Sequence, residues 1–244
     1  VLSAFFEIKM RFDAVFKDKF ELDGRLLCAA GFVRRGARVC DIGTDHAYLP
    51  IFLCKAGIAV SALACDVNEG PCDRARKNVA ANGCGGMIDV RQADGLAGAE
   101  SFDPTDIVIC GMGGELIFRI VRGSPLTKKS GVRLILQPMT KAAALRCALV
   151  SHGFEIVDEA LVREDRIYQV IAAEYTGRTP SLSEAELLLG PVNLARRSPL
   201  LYELAKKHLD TEKAIRLNKK LHGVDHSRED GIVSVLEKIM EEKR

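Results

Sequence analysis

The chain has 244 residues, of which 48% are apolar and 28% charged, a size that suits one α/β domain plus a small appendage. Its 35 Lys/Arg against 33 Asp/Glu leave a net charge of +2, too small to announce a nucleic-acid binder by itself. No apolar run reaches the roughly 18 residues that span a bilayer, and the opening Val1-Leu2-Ser3-Ala4-Phe5-Phe6 meets a charge too soon for a secretory signal. A cytoplasmic protein without membrane association is expected.

Residues 1–20, with five of the ten phenylalanines, read as an N-terminal extension. Residues 38–42 are short, apolar and stopped by Gly43, the mark of a buried parallel strand. A helix is predicted over 47–56, closed by Gly57, then a strand over 60–65 that ends at Asp66. Pro71, tolerated in a first helical turn, opens a helix to about 81 that stops before Asn82-Gly83. Strands at 88–90 and 106–110 follow, then a glycine-rich turn, a helix over 115–121, a strand over 132–136 and a helix over 141–151. Segments 155–162 and 167–174 are separated only by Arg163-Glu164-Asp165-Arg166 and read as an antiparallel hairpin. The economical fold is an open α/β sheet, mostly parallel with one reversed strand.

Composition shifts after Tyr175. Residues 176–183 form a turn-rich linker, and no strand is expected from Glu184 onward. Ile232, Val235, Leu236, Ile239 and Met240 recur at helical spacing. A second helical stretch over 196–220 carries Arg196, Arg197, Lys206, Lys207, Lys213, Arg216, Lys219 and Lys220 against three acids. The two helices, joined near Gly223, are expected to make an α-hairpin whose basic face is the candidate RNA contact. Domain limits of 21–183 and 184–244 follow.

Eight cysteines lie at 28, 40, 54, 65, 72, 84, 110 and 147 with no Cys-x-x-Cys pair. They read as reduced thiols, several of them in the core, and no metal is expected.

Chemistry gathers at the strand ends. The first is followed by Asp41-Ile42-Gly43-Thr44-Asp45-His46-Ala47. A dinucleotide fold needs a second bare glycine where Asp45 stands, and this carboxylate would repel a pyrophosphate. An acidic turn suits a ligand with an amine-bearing end, such as the methionine part of S-adenosylmethionine. Asp66, 25 residues after Asp41, stands where an acid accepts hydrogen bonds from ribose hydroxyls. Asp94-Gly95 after the third strand is a candidate for an adenine amino group, and Gly111-Met112-Gly113-Gly114 after the fourth lets a planar base approach. The expected cofactor set is Asp41, Gly43, Asp45, His46, Asp66, Val67, Asp94, Gly95, Gly111, Met112 and Gly113. A lone Asp after a strand is often only a helix cap, and a lone His is often structural. The inference rests on recurrence at four successive strand ends.

The decapeptide Asp41-Ile42-Gly43-Thr44-Asp45-His46-Ala47-Tyr48-Leu49-Pro50, with Gly111-Met112-Gly113-Gly114 and Leu136-Gln137-Pro138-Met139, closely resembles the bacterial tRNA (adenine-N1)-methyltransferases. That family modifies adenosine 22 of tRNA. The resemblance runs from about Leu22 to the C-terminus, including Leu189-Gly190-Pro191. It implies a Rossmann-like class I methyltransferase sheet, a C-terminal helical, coiled-coil-like domain, S-adenosyl-L-methionine as cofactor and tRNA as partner; no obligatory protein partner is inferred. Adenine N1 already carries a lone pair, so the work is alignment. Asp45 and His46 are the candidate catalytic groups nearest the reacting centre, a carboxylate there being suited to a base that becomes cationic. Two alternatives stay open: a methyltransferase acting on DNA, protein or a small molecule, and a non-catalytic RNA-binding protein with this fold.

Overall fold

The computed structural model describes residues 22–242; the proposed extension over 1–20 lies outside them. In chain order the elements are α1 Gly24–Ala30, β1 Ala37–Ile42, α2 Tyr48–Lys55, β2 Ala59–Asp66, α3 Glu69–Ala81, β3 Ile88–Gln92, β4 Asp106–Gly113, α4 Gly114–Gly123, β5 Arg133–Thr140, α5 Ala142–Ser151, β6 Phe154–Arg163 and β7 Ile167–Tyr175. Four helices follow: α6 Glu184–Leu189, α7 Pro191–Arg196, α8 Pro199–Leu221 and α9 Ser227–Glu241.

The seven strands form one sheet in the order β3-β2-β1-β4-β5-β7-β6. The first five pair in parallel, and β7 runs antiparallel to both neighbours. β7 is thus the single reversed strand that the sequence implies. Side chains alternate across the sheet. Val39, Ala62, Val108 and Ile135 enter the core under α1 and α2, while Cys40, Leu63, Ile107 and Leu134 enter the one under α4 and α5. Burial on both faces is why these strands read as continuous apolar runs rather than alternating ones. All eight cysteines are free, and six of them are buried.

The chain proceeds outward from β1 through β2 to β3, then returns to the other side of β1 as β4. Between β1 and β4 the crossovers diverge, and the strand ends there open a crevice, the usual ligand site of open α/β sheets.

Three sequence expectations change. Helix α1 is not anticipated; Asp23 caps it by accepting from the Leu26 N–H at 2.9 Å, and Glu164 of the β6–β7 turn accepts from Gly24 N–H. The turn expected after residue 110 does not occur: β4 runs through Gly113 and α4 begins at the next residue. Gly114 permits this, since a Cβ there would lie 2.6 Å from the Lys141 carbonyl oxygen. The helix expected over 196–220 is broken. Arg196 ends α7, Arg197 takes a left-handed φ of +51°, and α8 starts at Pro199, whose missing N–H is tolerated at a first helical position.

α8 and α9 pack as an antiparallel pair through Leu201, Leu204, Ile232, Val233 and Leu236. Arg146 of α5 ties the short helices α6 and α7, which precede that pair, to the sheet. It donates to Glu159 at 2.7 Å, to Gln169 at 2.7 Å and to the Leu187 carbonyl at 3.0 Å, while Glu159 also accepts from Val192 N–H at 3.0 Å. Among the described residues no helix is long and apolar enough to cross a membrane.

Candidate active site

A cleft of about 420 Å³ opens at the ends of β1 and β4. Its walls include Asp41, Gly43, Thr44, Asp45 and His46 from the β1–α2 turn, Cys110 and Gly111 from β4, and Asp23, Arg25 and Leu26 from α1. The turn is held to the end of β2, because the Gly43 and Thr44 N–H groups both donate to the Cys65 carbonyl, at 2.8 and 3.0 Å. It bends sharply. Gly43 has φ +77°, and the non-glycine residues Asp45 and Ala47 also stand in the left-handed region, at +41° and +56°. Such residues cost of order 1–3 kcal/mol each and persist where the surroundings over-determine them.

Asp41 is almost fully buried, and burial pushes its carboxyl up to about 6; the nearby Thr44 hydroxyl offsets part of this and the Asp66 charge reinforces it. The Thr44 hydroxyl is itself buried and has no hydrogen-bond partner of ordinary geometry among the described residues. A Cβ on Gly43 would collide with the Met112 methyl. A bare backbone, an orphaned hydroxyl and a buried carboxylate on one turn fit a ligand that brings an amine and hydrogen-bonding groups of its own.

Asp45 pairs with Arg74 of α3 and lies 3.4 Å from His46 Nε2, and the His46 ring stacks on Tyr48 with centroids 5.0 Å apart. Both ends of this pair are half-exposed at the mouth of the cleft. Asp66 accepts from Asn68 N–H at 2.9 Å, which shapes the β2 tip and leaves Val67 exposed beside it. Asp94 and Gly95 line a second cavity against α4, of about 340 Å³ and apart from the first. Gly113 stands against the Thr140 hydroxyl. The structure therefore gathers Asp41, Gly43, Asp45, His46 and Gly111 about one cleft, with Met112 behind Gly43. Asp66 is close enough to act on Asp41 electrostatically, and Asp94, in the turn after β3, belongs to the other cavity.

Sequence reasoning overlooks Asp23, Arg25, Arg74 and Gln137. Arg25 donates to Gln137 Oε1 at 3.0 Å, and the same oxygen accepts from Gly111 N–H at 3.1 Å, so Gln137 fixes the β4 glycine and α1 together. Asp23 followed by an apolar run over 26–30 is an N-cap signal that would have found α1.

The basic residues of the appendage are mostly paired. Arg196 meets Asp158 at 2.6 Å, Arg197 Glu242 at 2.7 Å, Lys206 Asp210 at 3.3 Å, Lys213 Glu237 at 2.7 Å, Arg216 Asp230 at 3.5 Å and Lys219 Glu229 at 2.9 Å. Only Lys207 and Lys220 of the eight have no ion pair among the described residues. From Glu184 to the C-terminus there are twelve Lys/Arg against eleven Asp/Glu, so α9 returns most of the charge that α8 carries.

Residues 22–171 match the family of methyltransferase domains, and the chain belongs to it. A curated relative narrows the class. The tRNA (adenine(22)-N(1))-methyltransferase of Bacillus subtilis (strain 168) is 34% identical over 179 residues, covering 71% of this chain and 75% of that protein. Among solved structures, Streptococcus pneumoniae Sp1610 in complex with S-adenosyl-L-methionine is 34% identical, covering 90% of this chain and 100% of that one with a TM-score of 0.78. M. capricolum TrmK in complex with S-adenosyl-homocysteine is 25% identical, covering 91% and 97% with a TM-score of 0.73. The chain is a member of the tRNA (adenine(22)-N(1))-methyltransferase family.

Proposed function

We propose that this protein methylates N1 of adenosine 22 in tRNA, using S-adenosyl-L-methionine, in the cytoplasm where tRNA is modified. The observation that carries the reading is the cleft at the β1–β4 divergence, with its strained acidic turn and unpartnered Thr44 hydroxyl, in a chain whose family acts at that nucleotide. Bound S-adenosyl-L-methionine supplies an electrophilic methyl group. Asp41, Gly43 and Thr44 are the groups suited to its amino-acid end, Asp66 to the ribose hydroxyls, and Val67 with the β3 tip to the adenine.

Adenine N1 needs no base to become a nucleophile, so the protein's task is to orient it. The base becomes cationic as the bond forms. Asp45, at the mouth of the cleft, is the carboxylate proposed to offset that charge, with Arg74 and His46 fixing its position. The glycine-lined tip of β4 is proposed to admit the base, turned out of the D-arm stack. The domain limits 21–183 for cofactor binding and 184–244 for tRNA contact belong to the same proposal. Incubation with labelled S-adenosyl-L-methionine and tRNA lacking the modification, followed by mapping of the product, tests it. Label at N1 of adenosine 22 is expected; label elsewhere, or none from a folded protein that binds S-adenosylhomocysteine, would overturn it.

A further inference from the structure

A separate cavity of about 220 Å³ lies where the sheet meets the helical appendage, between the tip of β5, the start of β7 and α8. Thr140, Lys141, Arg166, Tyr168, Lys207 and His208 supply most of its polar lining, Gln169 being engaged by Arg146, and no acid is among the lining residues. Two of its polar nitrogens are stranded. Arg166 Nε and His208 Nε2 are buried with no hydrogen-bond partner among the described residues. The rest of the Arg166 guanidinium does little better: it lies 4.8 Å over the Tyr168 ring, and among the described residues its Nη2 reaches only the Met139 sulfur at 3.9 Å. Tyr168 turns its hydroxyl to Asp165 at 2.9 Å, and Lys141 pairs with Glu115 at 2.7 Å, so the acids nearby are engaged elsewhere.

The backbone adds to this field. α5 begins at Ala142 and Ala143, both in the cavity wall, with no side-chain cap and no acid in its first turn. A helix start of that kind directs free N–H groups and positive potential at whatever lies before it. Burial holds the His208 pKa below its usual value, and Lys207 and Arg146 add to the effect, as befits an imidazole facing cations with no anion between them. Buried polar groups in folded proteins nearly always find partners. For the Arg166 guanidinium the missing partner is a negatively charged hydrogen-bond acceptor.

We propose that this cavity is a phosphate-binding site and that it takes a backbone phosphate of the tRNA next to the nucleotide presented to the cleft. The second half rests on the proposed function. The cavity is one strand beyond the β4 glycine motif, since Thr140 pairs in register with Gly113. It is also assembled from both parts of the chain: Arg166 from the sheet, Lys207 and His208 from α8. A phosphate held there ties the RNA to the catalytic sheet and the appendage at once.

Inorganic phosphate is the first probe, read on the His208 ring signals by NMR in the full chain, with sodium chloride at matched ionic strength as control. A phosphate-specific shift that is lost in Arg166→Gln supports the site. No such shift, or one that survives R166Q, overturns it. Binding of an unmodified tRNA transcript is the second reading, and at least a tenfold loss of affinity is expected in R166Q with S-adenosylhomocysteine affinity unchanged. Should R166Q not fold, Lys207→Gln, at an exposed position, carries both readings. A phosphate site whose removal leaves tRNA affinity unchanged belongs to a free phosphate and overturns the backbone assignment. A wild type that answers to phosphate yet methylates no tRNA sinks the proposed function and leaves the anion site standing.

Discussion

Two clusters of charge differ in how far their polar atoms are satisfied. At the junction of sheet and appendage, Arg146 and Glu159 are both fully buried, and each is held by several partners from β6, β7, α6 and α7. At the β1–α2 turn, Asp41 is buried without a cation beside it, Thr44 is orphaned, and two non-glycine residues are left-handed. The first cluster is complete as it stands. The second is incomplete, which marks it as a place prepared for something else. Buried charge alone therefore does not identify a site; the state of its hydrogen bonds does.

The largest expected effect comes from breaking the complete cluster. Burial works against both ions, raising the Glu159 pKa and lowering that of Arg146; their mutual contact is the largest offset, helped on Glu159 by the Val192 and Asn193 N–H groups. Removing one partner, as in Arg146→Met, is expected to cost ~3–5 kcal/mol in chemical denaturation. The double variant R146M/E159L should recover much of that loss, because no buried charge is left alone. A double variant as unstable as the single one would show that the hydrogen bonds to Gln169 and Leu187, not charge balance, hold the junction.

The incomplete cluster predicts the opposite sign. Burial raises the Asp41 pKa from 3.8 to about 6, so between these values the folded protein keeps a proton that the unfolded chain has released. Stability should fall as pH rises through that interval, by up to ~3 kcal/mol at about 1.4 kcal/mol per unit. Above it the loss is complete and constant. Asp41→Asn should therefore flatten the profile between pH 4 and 6 and leave the protein at least as stable at pH 7, while weakening S-adenosylhomocysteine binding. A variant less stable than wild type at pH 7 would place Asp41 with the structural acids instead.

The difference between the clusters bears on what could be read in advance. The central strands were legible because doubly buried parallel strands are apolar runs, the first of them closed by Gly43. The acidic turn was legible because Asp45 occupies a position where a dinucleotide fold needs glycine. The ion pairs were not. Glu237 and Glu229 neutralise Lys213 and Lys219 from a different helix, so a count along 196–220 finds a basic stripe where the folded surface is nearly balanced. Gln137 stands in the Leu136-Gln137-Pro138-Met139 motif, yet its work on Gly111 and Arg25 needs three segments to meet. Short α1 carries its own N-cap signal at Asp23, but the Glu164 contact that docks its first turn comes from far along the chain.

At the proposed ribose position beside the cleft, Asp66→Ala is expected to cost about 1.5–3 kcal/mol of S-adenosylhomocysteine affinity by calorimetry, the range for hydrogen bonds to a charged group. Asp45→Ala should lower turnover on tRNA while leaving cofactor affinity closer to wild type. Unchanged affinity in folded D66A removes Asp66 from the site, and an unchanged methylation rate in D45A removes Asp45 from the reaction.

The smallest effects are expected on the appendage, where adjacent lysines test whether pairing decides function. Lys219 donates to both Glu229 oxygens at 2.9 Å, whereas Lys220 has no acid partner among the described residues. Each phosphate that a protein cation neutralises contributes roughly 0.7–0.9 to the slope of log affinity against log salt. If α8 contacts tRNA, the unpaired lysine is the one already available to a phosphate. Lys220→Gln should then lower the salt slope by about one such unit and weaken tRNA binding equally for modified and unmodified transcripts. Lys219→Gln frees Glu229 beside the same surface, so its effect on RNA should follow the added negative charge and a looser α8–α9 pair, visible as a lower melting temperature. Folded K220Q with the wild-type salt slope would remove this end of α8 from the RNA surface. Loss of slope in R166Q but not in K220Q would move that surface to the junction with the sheet, next to the cavity that Lys207 and Arg166 share.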